Sequence, residues 1–122
     1  MDGAAPMSPT ERGADLLRRA AATMRRRAAA ANTDEARRPY SDPHIDPVPE
    51  SDWPALIDNY LGGQVGEHCA HLTPYVALCL ADWLDDTADR IADTSYRVDD
   101  DWVARNYRAP LEVAGAYLQE RY

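Results

Sequence analysis

Small and apolar residues recur along residues 14–31 as Ala14, Leu17, Ala21, Met24, Ala28 and Ala31, in alternating steps of three and four. Such spacing keeps them on one stripe of an α-helix. Ser8, Pro9, Thr10 and Glu11 supply its start: Ser8 as N-cap, a first-turn proline, and a glutamate placed to reach back to the Ser8 amide. Asn32 is the expected stop. A second helix is predicted from Ser51 or Asp52, with Trp53, Leu56, Ile57, Tyr60 and Leu61 on one face and Gly62-Gly63 ending it.

Gln64 to Leu72 reads as a short helix. Thr73-Pro74 then provides a cap and a first-turn proline for the next one, or a kink in a continuous helix. The segment from Pro74 to Asp93 is the most amphipathic in the chain, placing Val76, Leu80, Trp83, Leu84, Thr87, Ala88 and Ile91 in one apolar sector. It is expected to be the central core helix. Val103, Tyr107, Leu111, Ala114 and Leu118 share a last stripe that crosses Pro110, so two short helices or one kinked helix are predicted there. The expected fold is all-α: a bundle of five or six helices, one domain over residues 1–122, with residues 1–7 flexible. No segment alternates as a strand would.

Residues 33–50 break this periodicity. Pro39, Pro43, Pro47 and Pro49 occur there among polar residues, which predicts a loop or extended arm between helices 1 and 2. A loop of that length in a small domain is expected to be either functional or disordered.

Composition adds a division of charge. The net charge of the chain is −8. Residues 1–39 hold eight Arg against five acids (+3), and residues 40–122 hold five Arg against sixteen acids (−11). Every side-chain base besides histidine is Arg, as a GC-rich genome would produce. Phe is absent, so the core must be built from Leu, Val, Ile, Trp, Tyr and Ala. No apolar run is long enough to span a bilayer and no signal sequence is seen, which places the expected protein in the cytoplasm of a bacterial host cell with Cys69 and Cys79 reduced.

The segment EHCAHLTPYVALCLADWLDDTADRIA (residues 67–92), the later PLEVAGAYL and the opening LLRRAAATMRRRA together resemble a family of small hypothetical proteins of Streptomyces and of phages of actinobacteria. The resemblance covers about half of the chain. It implies a shared helical fold and a phage or mobile-element origin, and it brings no established activity. The chain departs from the usual pattern at Cys69, His71 and Cys79 and in the Pro-rich arm.

Candidate chemistry is sparse. His68 and His71 lie at i and i+3, and Cys79 approaches across the Thr73-Pro74 turn, which makes the three a weak candidate zinc set. Cys69 points elsewhere, and Cys79 sits at the edge of an apolar sector like a small buried hydrophobe. A nucleophilic cysteine paired with His44, His68 or His71 lacks a basic neighbourhood, and no phosphate loop follows a strand. No catalytic residue is assigned, no cofactor is expected, and the chain reads as non-enzymatic.

Two charged surfaces remain. Asp82, Asp85, Asp86, Asp89 and Asp93 lie opposite the apolar sector of their helix, and Asp99, Asp100 and Asp101 extend the acidic surface. Like charges four residues apart oppose helix formation, so folding does not require this stripe. It is the expected docking face for a protein partner with a basic surface, in the concrete case a nucleic-acid-handling or defence enzyme of the host that the protein inhibits. Arg18, Arg19, Arg25, Arg26 and Arg27 on the first helix are the alternative, a nucleic-acid contact opposed by the net negative charge. A homo-oligomer joining the Arg face of one copy to the Asp face of the next is a further possibility. Because both apolar stripes seek one core, direct pairing between the two charged faces is expected only at their flanks.

Overall fold

In the computed structural model, which describes residues 6–60 and 62–122 without the side chains of residues 55, 58–60, 66, 67 and 70, the first helix begins where its capping box lies. The Ser8 amide donates to Glu11 Oε1 (3.2 Å), and the Glu11 amide donates to Ser8 Oγ (3.2 Å). Helix α1 then runs over Pro9–Ala31, followed by α2 (Trp53–Tyr60), α3 (Gly63–Ala70), α4 (Pro74–Ala92), α5 (Asp100–Asn106) and α6 (Arg108–Leu118). The fold is all-α, with no strand among the described residues.

Local chemistry explains the breaks. Gly62 and Gly63 both adopt positive φ (50° and 61°), a region open to glycine, and separate α2 from α3. The expected stripe of α2 is occupied by Trp53 and Leu56, both buried, and by half-buried Ile57, while the Tyr60 side chain and Leu61 lie outside the described residues. Between α3 and α4 the chain leaves the helix, and Thr73 caps the new one: its Oγ1 accepts from the Val76 amide at 3.2 Å. Two helices, not one kinked helix, are therefore present. The stripe that crosses Pro110 also splits in two, at Tyr107 (φ −125°, ψ 35°). Pro110 falls in the first turn of α6, where a missing N–H leaves no helical hydrogen bond unmade.

The chain divides into two compact units, residues 1–23 with 80–122 and residues 24–79. In the first, Ala14, Leu16, Leu17, Ala20 and Ala21 of α1, Ala81, Leu84, Thr87, Ala88 and Ile91 of α4, Val103 of α5 and Leu111 and Ala114 of α6 are buried. The covered face of α1 is wider than the predicted stripe, because a second row through Gly13, Leu16 and Ala20 is also enclosed. Gly13 permits a close approach: a Cβ there would lie 3.1 Å from Val103 Cγ1.

Helix α4 corrects the predicted sector. Trp83 remains 37% exposed, whereas Ala81, absent from the expected set, is wholly buried. The covered strip of α4 is narrow and centred near Leu84 and Ile91, and Trp83 lies roughly 90° around the helix from that centre. Thr87, the polar member of the buried strip, donates its hydroxyl to the Trp83 carbonyl at 2.8 Å, so its burial leaves no orphan group.

In the second unit Met24, Ala28, Trp53 and Leu56 are buried. The Pro-rich arm is ordered by hydrogen bonds instead of by an apolar stripe. The Val48 amide donates to the Arg37 carbonyl (2.9 Å), and Arg37 Nη1 donates back to the Val48 carbonyl (2.7 Å). Near the ends of the arm, Asn32 Nδ2 donates to Glu50 Oε2 (3.1 Å). The turn between carries Tyr40 and Ser41 at φ 58° and 55°, two successive left-handed residues of which neither is glycine.

Candidate functional site

Helix α4 positions the acidic residues that the sequence singles out. Its wholly buried residues Leu84, Ala88 and Ile91 turn one side of the helix inward, and the 3.6-residue period sends Asp82, Asp86, Asp89 and Asp93 outward, where all four are exposed. Asp85 is half-buried, and both it and the exposed Asp82 have interaction partners. Arg18 Nη2 reaches Asp89 Oδ1 at 3.2 Å, so one member of the arginine set meets one member of the aspartate set inside the first unit. With both side chains at least half exposed, that pair is screened and worth at most about 1 kcal/mol.

The three aspartates ahead of α5 have separate tasks. Asp99 is the N-cap, its Oδ1 accepting from the Trp102 amide at 2.8 Å. Asp100 is the partner of Arg12 and also accepts from the Tyr122 hydroxyl (3.2 Å). Asp101 pairs with Arg105 one turn along (2.9 Å). All three are exposed, yet each is committed within the first unit.

The arginines are also largely committed. Arg19 bridges Asp15 (2.8 Å) and Glu120 (2.7 Å), which holds the Glu120 carboxyl below its ordinary range. Arg25 and Arg27 have partners, and Arg26 is exposed. A helix meant to follow nucleic-acid phosphates needs unpaired cations, and here carboxylates of the chain already compete for them.

Tyr122 is the member of this region that no sequence pattern suggests. Its hydroxyl donates to the Pro9 carbonyl (3.0 Å) and to Asp100, closing a groove of about 550 Å³ whose walls include Met7, Leu16, Ala104 and Arg121. These links join residues up to 113 positions apart, so nothing local announces them. Partial burial, reinforced by the Asp100 carboxylate, pushes the Tyr122 phenol up to about 12 from 10.0. A raised acid constant means that the protonated phenol stabilises the fold. This contribution is complete below pH 10 and is lost as the pH rises through about 12. In Tyr122→Phe it is absent throughout. The urea midpoint of the parent is therefore expected to fall more steeply between pH 10 and 12 than that of Tyr122→Phe, and parallel curves would refute the assignment.

The candidate zinc set is scattered over the end of α3, the turn after it and α4. His68, His71 and Cys79 are each exposed, and among the described residues no group of three or more His, Cys, Asp or Glu is placed to hold a metal ion. Cys69 and Cys79 are both free thiols. Cys79 is exposed, not enclosed as its place beside the apolar sector predicts, because the covered strip of α4 does not extend to it. Its thiol, one turn after Tyr75, raises the Tyr75 phenol above its ordinary range. No described helix is long and apolar enough to cross a membrane. The chain matches no family model, no curated protein and no solved structure.

Proposed function

We propose that this chain is a non-enzymatic interaction protein, an accessory factor of a phage or mobile element, that holds a basic surface of a host protein against the outer face of α4. One observation carries the reading: Asp82, Asp86, Asp89 and Asp93 are all exposed along that helix, directly opposite residues that are wholly buried. Like charges three or four residues apart on one helix face oppose that helix, the Arg18–Asp89 pair relieves part of this, and a cationic partner offsets more of it on binding. The origin in a phage or mobile element rests on the sequence resemblance, as does the concrete version in which the partner is a nucleic-acid-handling or defence enzyme.

Isosteric neutralisation tests it. The variant Asp82→Asn/Asp86→Asn/Asp89→Asn/Asp93→Asn should fold with a stability close to the parent's, since the repulsion it removes is set against the loss of the exposed Arg18–Asp89 pair and of the interaction that Asp82 makes. Partners captured from host lysate by the parent should be lost by the variant, and a purified partner should bind roughly tenfold or more weakly, with most of the difference vanishing at high salt. Capture of the same partners by both proteins, or of none by either, counts against the proposal.

A further inference from the structure

Helix α6 borders a second groove, of about 500 Å³, that lies wholly within the unit formed by residues 1–23 and 80–122. Ala104, Leu111, Gly115 and Ala116 line it, side chains that leave room and offer no polar group. It shares Ala104, Glu120, Arg121 and Tyr122 with the groove that the Tyr122 hydroxyl closes, so the turn after α6 supplies wall to both. Tyr122 gives its hydroxyl to Asp100, which borders the first groove and not the second. What the second groove meets is therefore the carbon ring.

The charged residues around this groove differ in what they have left to offer. Arg105 is paired with Asp101 (2.9 Å), Arg108 with Glu112 (3.0 Å) and Glu120 with Arg19 (2.7 Å). Arg121 is exposed and, among the described residues, forms no ion pair and no hydrogen bond. One uncommitted cation thus borders a cavity whose walls are otherwise small, apolar or already paired. Small-molecule sites have this make-up: a concave body of roughly 300–1,000 Å³, mostly apolar, with a few polar groups that fix the orientation of the ligand.

We propose that this groove binds a small carboxylate with an apolar body, the acyl or aryl part lying over Leu111, Gly115 and Ala116 and the carboxylate meeting Arg121. The planar guanidinium can give such a group two parallel N–H bonds. A monoanion fits better than a phosphate monoester, because Glu112 and Glu120 also border the groove and repel a second negative charge. The site uses none of the α4 aspartates, so it stands or falls separately from the proposed docking face.

A ¹H–¹³C methyl spectrum of the full-length protein, with the Ala104 and Ala116 signals assigned by substitution, follows the groove directly. Titration with octanoate or with 3-phenylpropionate is expected to shift both signals saturably and to leave those of Ala20 and Ala88, enclosed in the core, in place. A response to octanoate alone assigns an acyl body, one to 3-phenylpropionate alone an aryl body, and one to both a groove that reads charge and carbon only. Acetate has the charge without the body and octanamide the body without the charge, and each should bind roughly tenfold or more weakly. Arg121→Gln should weaken octanoate by roughly tenfold, the loss expected for a charge-assisted contact, and leave octanamide unchanged. Because Arg121 has no partner to lose, this variant should fold as the parent does. Ala116→Trp fills the groove from an exposed position on α6 and should abolish the shift at Ala104. No saturable shift with either acid, equal binding of octanamide, or undiminished binding of both acids by Arg121→Gln overturns the proposal.

Discussion

Leu84→Ala is expected to lower the unfolding free energy by about 3 kcal/mol, within the range of roughly 2–5 kcal/mol seen when a buried leucine is truncated. Leu84 is wholly buried at the centre of the narrow covered strip of α4, with Ala81, Ala88 and Ile91 as its buried neighbours on the same helix. Alanines flank it on two sides, and they have no rotamers with which to fill a cavity, so relaxation will be limited. A domain of this size is stable by roughly 5–15 kcal/mol in all, and the loss is therefore a large share. The thermal midpoint should fall by about 10 °C. Asp86→Ala, half a turn away on the exposed side, should stay within about 0.5 kcal/mol. Chemical denaturation of the two variants in parallel provides the check, and equal losses would mean that α4 does not present Leu84 inward.

Gly115→Ala comes second, and its sign is the opposite of the usual one. Exchanging glycine for alanine inside a helix ordinarily stabilises it by about 1 kcal/mol. At Gly115 the chain returns over the end of α6: the Glu120 amide donates to the Gly115 carbonyl (2.8 Å) and the Gln119 amide to the Ala116 carbonyl (3.3 Å), with Gln119 at φ 58°. A Cβ on Gly115 would stand 2.6 Å from the Glu120 carbonyl oxygen. That oxygen is backbone and cannot swing aside, so the closing turn has to move, at a net cost of about 1–3 kcal/mol. Displacing the turn also pulls Glu120 from Arg19 and Tyr122 from Pro9 and Asp100. The variant should thus lose stability and show the Tyr122 titration returning from about 12 toward 10, followed by ultraviolet absorbance. A variant more stable than its parent would show that the turn is not packed on Gly115.

The two substitutions differ in what made them foreseeable. Leu84 lies in a periodic pattern, and its burial follows from helix geometry once one side of α4 is covered. Gly115 belongs to no motif visible in sequence, because the atom that excludes its side chain comes from a turn whose path depends on links between Arg19 and Glu120, 101 residues apart.

The same division runs through the molecule. The capping boxes and breaks, Ser8 with Glu11, Thr73 before Pro74 and the glycine pair at 62 and 63, involve groups within a few residues of one another. Their hydrogen bonds form whatever the rest of the chain does, and they were legible as sequence. So was the outward placement of Asp82, Asp86, Asp89 and Asp93, which needs only the helical period and one apolar side. How wide that side is, however, depends on what packs against it. Trp83 and Cys79 were assigned to it and are exposed, and Leu16 and Ala20 of α1 were left out of it and are enclosed. The pairing of Arg12 with Asp100, of Arg18 with Asp89 and of Arg37 with the Val48 carbonyl likewise waited on tertiary structure. Composition counts such charges, but only the folded chain determines which of them meet.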